Sequence, residues 1–215
     1  MPKLGMQDVR RRQLIDATFA TVQRHGLADT TMQRIAREAG LSAGIIHHYF
    51  ADKNALLAAT MRALLAELRG DVVERLAAAA TPEARVRAVL AANFAEAQFR
   101  PELVAAWLAF WAQSPHAPEL ARLRRLHSRR TWSNLAAPLR ELLPGAAAER
   151  AATTLAAMID GFWLKAGADE DAFDRGDALS HVEAYLDLVL AGRVGAGRVS
   201  AAAASPPDRG RSGGR

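Results

Sequence analysis

The twenty-four residues from Thr30 to Lys53 constrain this chain more than any other stretch. They read as two short amphipathic helices joined by a tight turn. Met32, Ile35, Ala36 and Ala39 fall at i, i+3, i+4 and i+7 and form one apolar stripe. Thr30 or Thr31 can cap that helix, its hydroxyl accepting an orphan backbone N–H. Gly40 follows where the chain must reverse, since glycine enters the left-handed region without steric cost. Ser42 can cap the second helix, and Ile46 and Phe50, four apart, return to the same core. The small Ala36 and Ala43 allow the two helices to approach closely, and Asp52 is the next cap, opening a long helix at Lys53. An ordinary helical hairpin would share these features. His47, His48 and Tyr49 point further, being polar rings on a face the core does not need. The combination is a helix-turn-helix, a device for laying one helix into the major groove of DNA.

The rest of the chain supports an all-α fold. Alanine and leucine dominate, β-branched runs are absent, and no stretch alternates with period two. A first helix is expected from about Asp8 to His25, with Leu14, Ile15, Thr18, Phe19 and Val22 on one face. Its union with the helix-turn-helix predicts a three-helix unit whose core is Ile15, Phe19, Val22, Leu27, Ile35, Ile46 and Phe50. A long fourth helix is expected over about 53–80, a rigid lever from the reading helix. Further helices are expected over about 82–99, 101–113 and 117–142, punctuated by Pro101, Pro115, Pro118 and Pro144. Two more are expected over about 146–167 and 175–192, separated by the acidic Asp169, Glu170 and Asp171. The expected division is a helix-turn-helix domain over 1–52, a helical ligand-binding and dimerisation domain over 53–192, and a disordered Arg-, Gly- and Ala-rich tail over 193–215.

Composition narrows the function. The formal net charge is +5, with the positive excess gathered in the first 55 residues and in the tail, while the middle is slightly acidic. Basic charge therefore sits where the helix-turn-helix lies. The chain has no cysteine, so neither a disulfide framework nor thiolate chemistry is available. No signal-peptide core opens the sequence and its longest apolar run, Leu103 to Ala112, is too short to span a bilayer, so a cytoplasmic protein without a membrane partner is expected. G-x-S-x-G, H-E-x-x-H and P-loop motifs are all missing, which argues against an enzyme and leaves no cofactor implied. His47 and His48 diverge on a helix and have no evident third ligand, so no metal site is expected. The run Arg10, Arg11 and Arg12 reads equally as a phosphate contact or as a solvated helix face.

Gly26, Thr30-Thr31, Ile35-Ala36, Ala39-Gly40-Leu41-Ser42, Gly44, Ile46, Tyr49-Phe50, Asp52-Lys53 and Leu56 together resemble the TetR family of bacterial repressors. Ile45-Ile46-His47-His48-Tyr49-Phe50, Trp107 to Ala112 and Ile159 to Leu164 look most like the branch that responds to choline and controls glycine betaine synthesis genes. The resemblance runs over about residues 1–192. It implies a homodimer whose two reading helices enter successive major grooves of a pseudo-palindromic, double-stranded operator. Carried over residue by residue, Thr31 and the first N–H groups of its helix would hold a phosphate. Ser42 would open the reading helix, Ala43, Gly44, Ile45 and His47 would face bases, and His48, Tyr49 and Lys53 would reach the backbone. That surface is poor in Arg, Asn and Gln, the usual bidentate base readers.

The larger part of the chain holds four tryptophans, Trp107, Trp111, Trp132 and Trp163. Trp107, Phe110 and Trp111 share a helix face, as do Asp160 and Trp163. If the faces meet, they make an aromatic box with one carboxylate, suited to a quaternary ammonium such as choline, which cannot donate hydrogen bonds. Each cation–π contact contributes about 0.5–1 kcal/mol when exposed and about 2 kcal/mol when desolvated. A tryptophan stripe at helical spacing also reads as core. Asn93, Phe94, Gln98 and Asn134 are further candidate lining residues. Ala151, Ala152, Leu155, Ala156, Val182, Tyr185, Leu186 and Val189 are the expected dimer surface. The alternative ligand is another cationic or lipophilic compound, as in an efflux-pump repressor.

Overall fold

The computed structural model describes residues 5–169 and 173–192. The tail at 193–215 and most of the acidic loop lie outside these residues. Among the described residues the chain is helical with no strand, and no helix is long and apolar enough to cross a membrane.

Three helices form the N-terminal unit: α1 (Met6–His25), α2 (Met32–Glu38) and α3 (Ala43–Tyr49). Leu14, Ile15, Phe19, Ile35, Ile46 and Phe50 are buried together, with Leu27 partly buried against them, and Val22 is also buried. Thr31 rather than Thr30 caps α2, its hydroxyl accepting the Arg34 N–H at 3.2 Å. The Thr30 hydroxyl instead donates to the Gly26 carbonyl at 2.7 Å. Gly40 has φ +66° and closes α2 through two bonds, Gly40 N–H to Arg37 O at 3.0 Å and Leu41 N–H to Ala36 O at 2.8 Å. This is the Schellman arrangement, which satisfies two orphan carbonyls and turns the chain toward α3. Ser42 occupies the cap position of α3 without a side-chain bond, contrary to the expected cap, so its hydroxyl and the first turn of α3 face outward.

Asp52 caps α4 (Lys53–Ala78) by accepting the Ala55 N–H at 2.8 Å. The body continues with α5 (Pro82–Asn93), α6 (Pro101–Gln113), α7 (Pro118–Leu142), α8 (Gly145–Ala168) and α9 (Arg175–Leu190). Pro82, Pro101 and Pro118 each stand in the first turn, where the missing N–H costs nothing. The single helix expected over 82–99 is not formed. It ends at Asn93, and a short 3-10 turn covers Glu96–Gln98. Phe94 then stacks on Phe99, with ring centroids 5.9 Å apart, and its carbonyl accepts a bond from the Arg175 guanidinium at 2.9 Å. The break is fixed by a partner 81 residues away.

In the body α7 packs on α5 and α8, while α8 also meets α6 and α9. The N-terminal unit is joined to it chiefly by α1, which lies along α6 and α4. One exposed ion-pair network spans that seam: Arg12 binds Asp16 at 3.0 Å and Glu67 of α4 at 2.8 Å. Of the residues expected on a dimer surface, Ala151, Ala152, Leu155, Val182, Leu186 and Val189 are instead buried within this chain. They cement α8 and α9 to their own neighbours.

Candidate DNA-reading face and ligand sites

The cap residue Ser42 and Ala43, Gly44, Ile45, His47 and His48 of α3 are all exposed, while Ile46 between them is buried. Ile46 and Phe50 anchor the helix and leave its first turn and one flank outward. Ile45 is 39% exposed, which is unusual for an isoleucine and consistent with an apolar contact surface. His48 and Tyr49 meet edge to face, ring centroids 5.3 Å apart. With Gln7, Asp8 and Arg11 of α1 they line one shallow hollow. The Arg11 guanidinium also sits over the Phe50 ring at 4.6 Å. Gln7 was not legible as part of this face, because nothing in local spacing brings α1 to the end of α3. Thr31 is exposed at the start of α2. Lys53 is half-buried and donates to the Leu27 carbonyl at 2.7 Å. Burial lowers its pKa, with Asp29 acting the opposite way. In this structure its ammonium therefore closes the α1–α2 loop.

The aromatic residues of α6 and α8 do come together. Trp107, Phe110 and Trp163 are buried and Trp111 is partly buried. Trp107 lies 5.8 Å from Phe110, 6.3 Å from Trp111 and 5.5 Å from Trp163. Trp163 stacks in turn on Phe99 at 4.6 Å, and Phe99 on Phe173 at 5.3 Å. These rings are in contact with one another, so their faces are filled by neighbouring rings. Three members were not legible in the sequence: Phe99, Phe173, and His127 of α7, whose ring is 4.9 Å from Trp107. The Trp107 indole N–H is buried and has no acceptor among the described residues.

Two ionisable groups, His127 beside Trp107 and Asp160 on α8, are perturbed in opposite directions. Burial lowers the His127 pKa to about 4, Arg130 pushing the same way, so the imidazole is neutral at neutral pH. Asp160 is exposed along one edge, but crowding strips hydration from its carboxyl and raises it to about 6, against the pull of Arg124. Between its ordinary 6.5 and about 4, His127 is protonated only when unfolded, so its effect is to lower stability as pH falls. Asp160 does the reverse. Between 3.8 and about 6 the folded carboxyl keeps a proton that the unfolded one has lost, so stability falls as pH rises. Asp160→Asn should thus raise the urea midpoint at neutral pH and leave it unchanged below pH 3.8. His127→Gln should flatten the acid limb instead. Equilibrium urea unfolding across this range checks both signs, and an unchanged midpoint for Asp160→Asn at neutral pH would mean its carboxyl is normally hydrated.

A separate cavity of about 350 Å³ lies between α4, α5 and α7. Asn93, Asn134 and His127 line it, whereas Trp107, Phe110, Trp111, Asp160 and Trp163 do not. Phe94 and Gln98, also weighed as lining residues, are buried elsewhere in the body.

An outward-facing helix-turn-helix joined to a body of six helices, α4 to α9 among the described residues, defines a class of regulator, and similarity settles which one. The TetR-family model for bacterial regulatory proteins matches residues 14–60, and that for the C-terminal part of BetI-type transcriptional repressors matches residues 82–191. The chain belongs to the TetR family, and it is a transcriptional repressor of that type rather than an enzyme. The HTH-type transcriptional regulator BetI of Paraburkholderia xenovorans (strain LB400) is 49% identical over 194 residues, 90% of this chain and 100% of the relative. BetI of Burkholderia thailandensis is 47% identical over the same length and shares. Among solved structures, a transcriptional regulator from Pseudomonas aeruginosa PAO1 is 30% identical with a TM-score of 0.71, covering 86% of this chain and 92% of that one. A regulator from Saccharomonospora viridis, solved in complex with choline, shares the fold at 20% identity and a TM-score of 0.73, covering 84% and 96%.

Proposed function

We propose that this repressor is a cytoplasmic homodimer that holds a pseudo-palindromic operator of choline-to-glycine-betaine genes and leaves it when choline binds. The residues over 1–52 act as the reading head, and those over 53–192 sense the ligand and dimerise. Exposed Leu164 of α8 and Leu188 of α9 are available for a partner, being 53% and 43% accessible.

The observation that carries the choline reading is the unsatisfied Trp107 N–H inside a cluster of rings. Choline combines a cation that aromatic faces attract with a hydroxyl oxygen that can accept this bond. The rings fill one another's faces in this structure, so binding has to part α6 from α8. Such a movement has a direct route to DNA. Ala106, Ala109, Phe110 and Gln113 of α6 line a narrow crevice with Thr18 and Val22 of α1 and Leu57 and Met61 of α4. Displacing α6 therefore shifts both helices that carry the reading head. The similarity to BetI regulators, and the choline complex of a protein with the same fold, support this assignment. The leucine and valine walls of the cavity between α4, α5 and α7 support a second reading, a repressor of another operon that senses a lipophilic ligand.

Operator binding by fluorescence anisotropy, on DNA upstream of the chain's own gene, tests the proposal. Saturating choline should weaken binding by roughly 5- to 150-fold, the range of a coupling of about 1–3 kcal/mol. Unchanged affinity at saturation would remove choline as the inducer.

A further inference from the structure

The cavity between α4, α5 and α7 has the wrong charge for a quaternary ammonium. Arg62, Arg69 and Arg130 all line it, and no lining residue carries a carboxylate. Arg62 is paired with Glu119, but Arg69 and Arg130 have no ion-pair partner among the described residues. Three guanidinium groups around one concavity repel each other, and a bound anion relieves that repulsion. Arginine is also the side chain whose planar fork matches a carboxylate in two parallel hydrogen bonds. The remaining polar groups, Asn93, Thr131 and Asn134, are uncharged. The other walls are aliphatic, from leucines and valines of α4 and α7 such as Leu68, Val72 and Leu123. Apart from His127, no aromatic ring is presented to hold a cation.

We propose that this cavity is a binding site for an amphipathic anion, a monocarboxylate with an aliphatic tail. Arg69 and Arg130 take the carboxylate, and the leucine and valine side chains of α4 and α7 take the tail. At the roughly 30 Å³ that a water molecule occupies in the liquid, the volume holds about a dozen non-hydrogen atoms, which suits a tail of about eight carbons. The cavity shares only His127 with the aromatic cluster, and the proposal does not rest on choline. Because eight of the lining residues belong to α4, the helix that starts directly after the reading head, occupancy would also bear on DNA binding.

Isothermal titration of the full-length protein with octanoate, and in parallel with octanamide, tests this. The two ligands share shape and tail and differ in charge. Octanoate should bind at least tenfold more tightly than octanamide, and more weakly as salt rises. In the double variant Arg69→Ala, Arg130→Ala the octanoate affinity should fall at least tenfold while octanamide changes by less than threefold. Both arginines are exposed at the cavity mouth, so the variant should melt with the unaltered chain. Equal binding of octanoate and octanamide overturns the proposal without any variant. So does a double variant that binds octanoate as before, or one that loses choline binding in step with octanoate.

Discussion

Gly44→Glu is expected to cut operator affinity by about a thousandfold while making the protein more stable. Gly44 lies in the first turn of α3, exposed, and a Cβ built there meets nothing within 4 Å. The substitution therefore disturbs no packing. It replaces the poorest ordinary helix former with a good one, worth about 0.8–1 kcal/mol, and sets a carboxylate near a helix N-terminus, which is favourable. If the first turn of α3 reads the operator as proposed, the same carboxylate faces bases and flanking phosphates. A cost of about 2 kcal/mol per head, within the range of one mismatched base pair, becomes about 4 kcal/mol over the two heads of the proposed dimer. Since each 1.4 kcal/mol is tenfold, that is close to a thousandfold. Urea unfolding and operator anisotropy on one preparation check the two signs together. A protein that binds as before would show that the first turn of α3 does not read the operator. The opposite movement of stability and binding excludes misfolding as the cause.

The parts of this molecule that were legible in its sequence are those with a local physical signal. Gly40 ended α2 because only a left-handed residue lets Leu41 reach back to Ala36. Asp52 announced α4, and prolines marked the first turns of α5, α6 and α7. Where the cause was a distant partner, the pattern was silent. No glycine or proline interrupts 93–99, and the chain breaks there because Arg175 binds the Phe94 carbonyl. The small and aliphatic stripes of α8 and α9 were legible as buried faces, but spacing cannot say whether the covering helix belongs to the same chain. Trp107, Trp111 and Trp163 meet, while Trp132 lies apart against Thr153 and Arg140, and periodicity carries no information on whether a gap remains between rings. Nor could it show that Arg62 and Arg69 of α4 would share a cavity with Arg130 of α7.

Trp163 is where the structural and sensory roles of the aromatic cluster can be separated. Trp163→Ala should destabilise the fold by about 3–5 kcal/mol, the usual cost of emptying a buried tryptophan site. Its ring is 4% exposed and touches Phe99 and Trp107, so the void would open at the join of α6 and α8. An urea midpoint unchanged by this truncation would refute the core role. Because the loss is so large, a missing choline response in Trp163→Ala would be uninformative: a loosened α6–α8 seam disturbs α1 whether or not a ligand is present. Trp163→Phe keeps an aromatic face and most of the volume, and should unfold within about 1.5 kcal/mol of the unaltered protein. If the rings cage a cation, its choline affinity should drop by roughly 2- to 30-fold, the span of one weakened cation–π contact of about 0.5–2 kcal/mol. If they are core alone, the phenylalanine variant responds to choline as the unaltered protein does. A packed cluster can serve both purposes only when the energy holding the rings together is small enough for a ligand to replace, and the ratio of these two losses measures that directly.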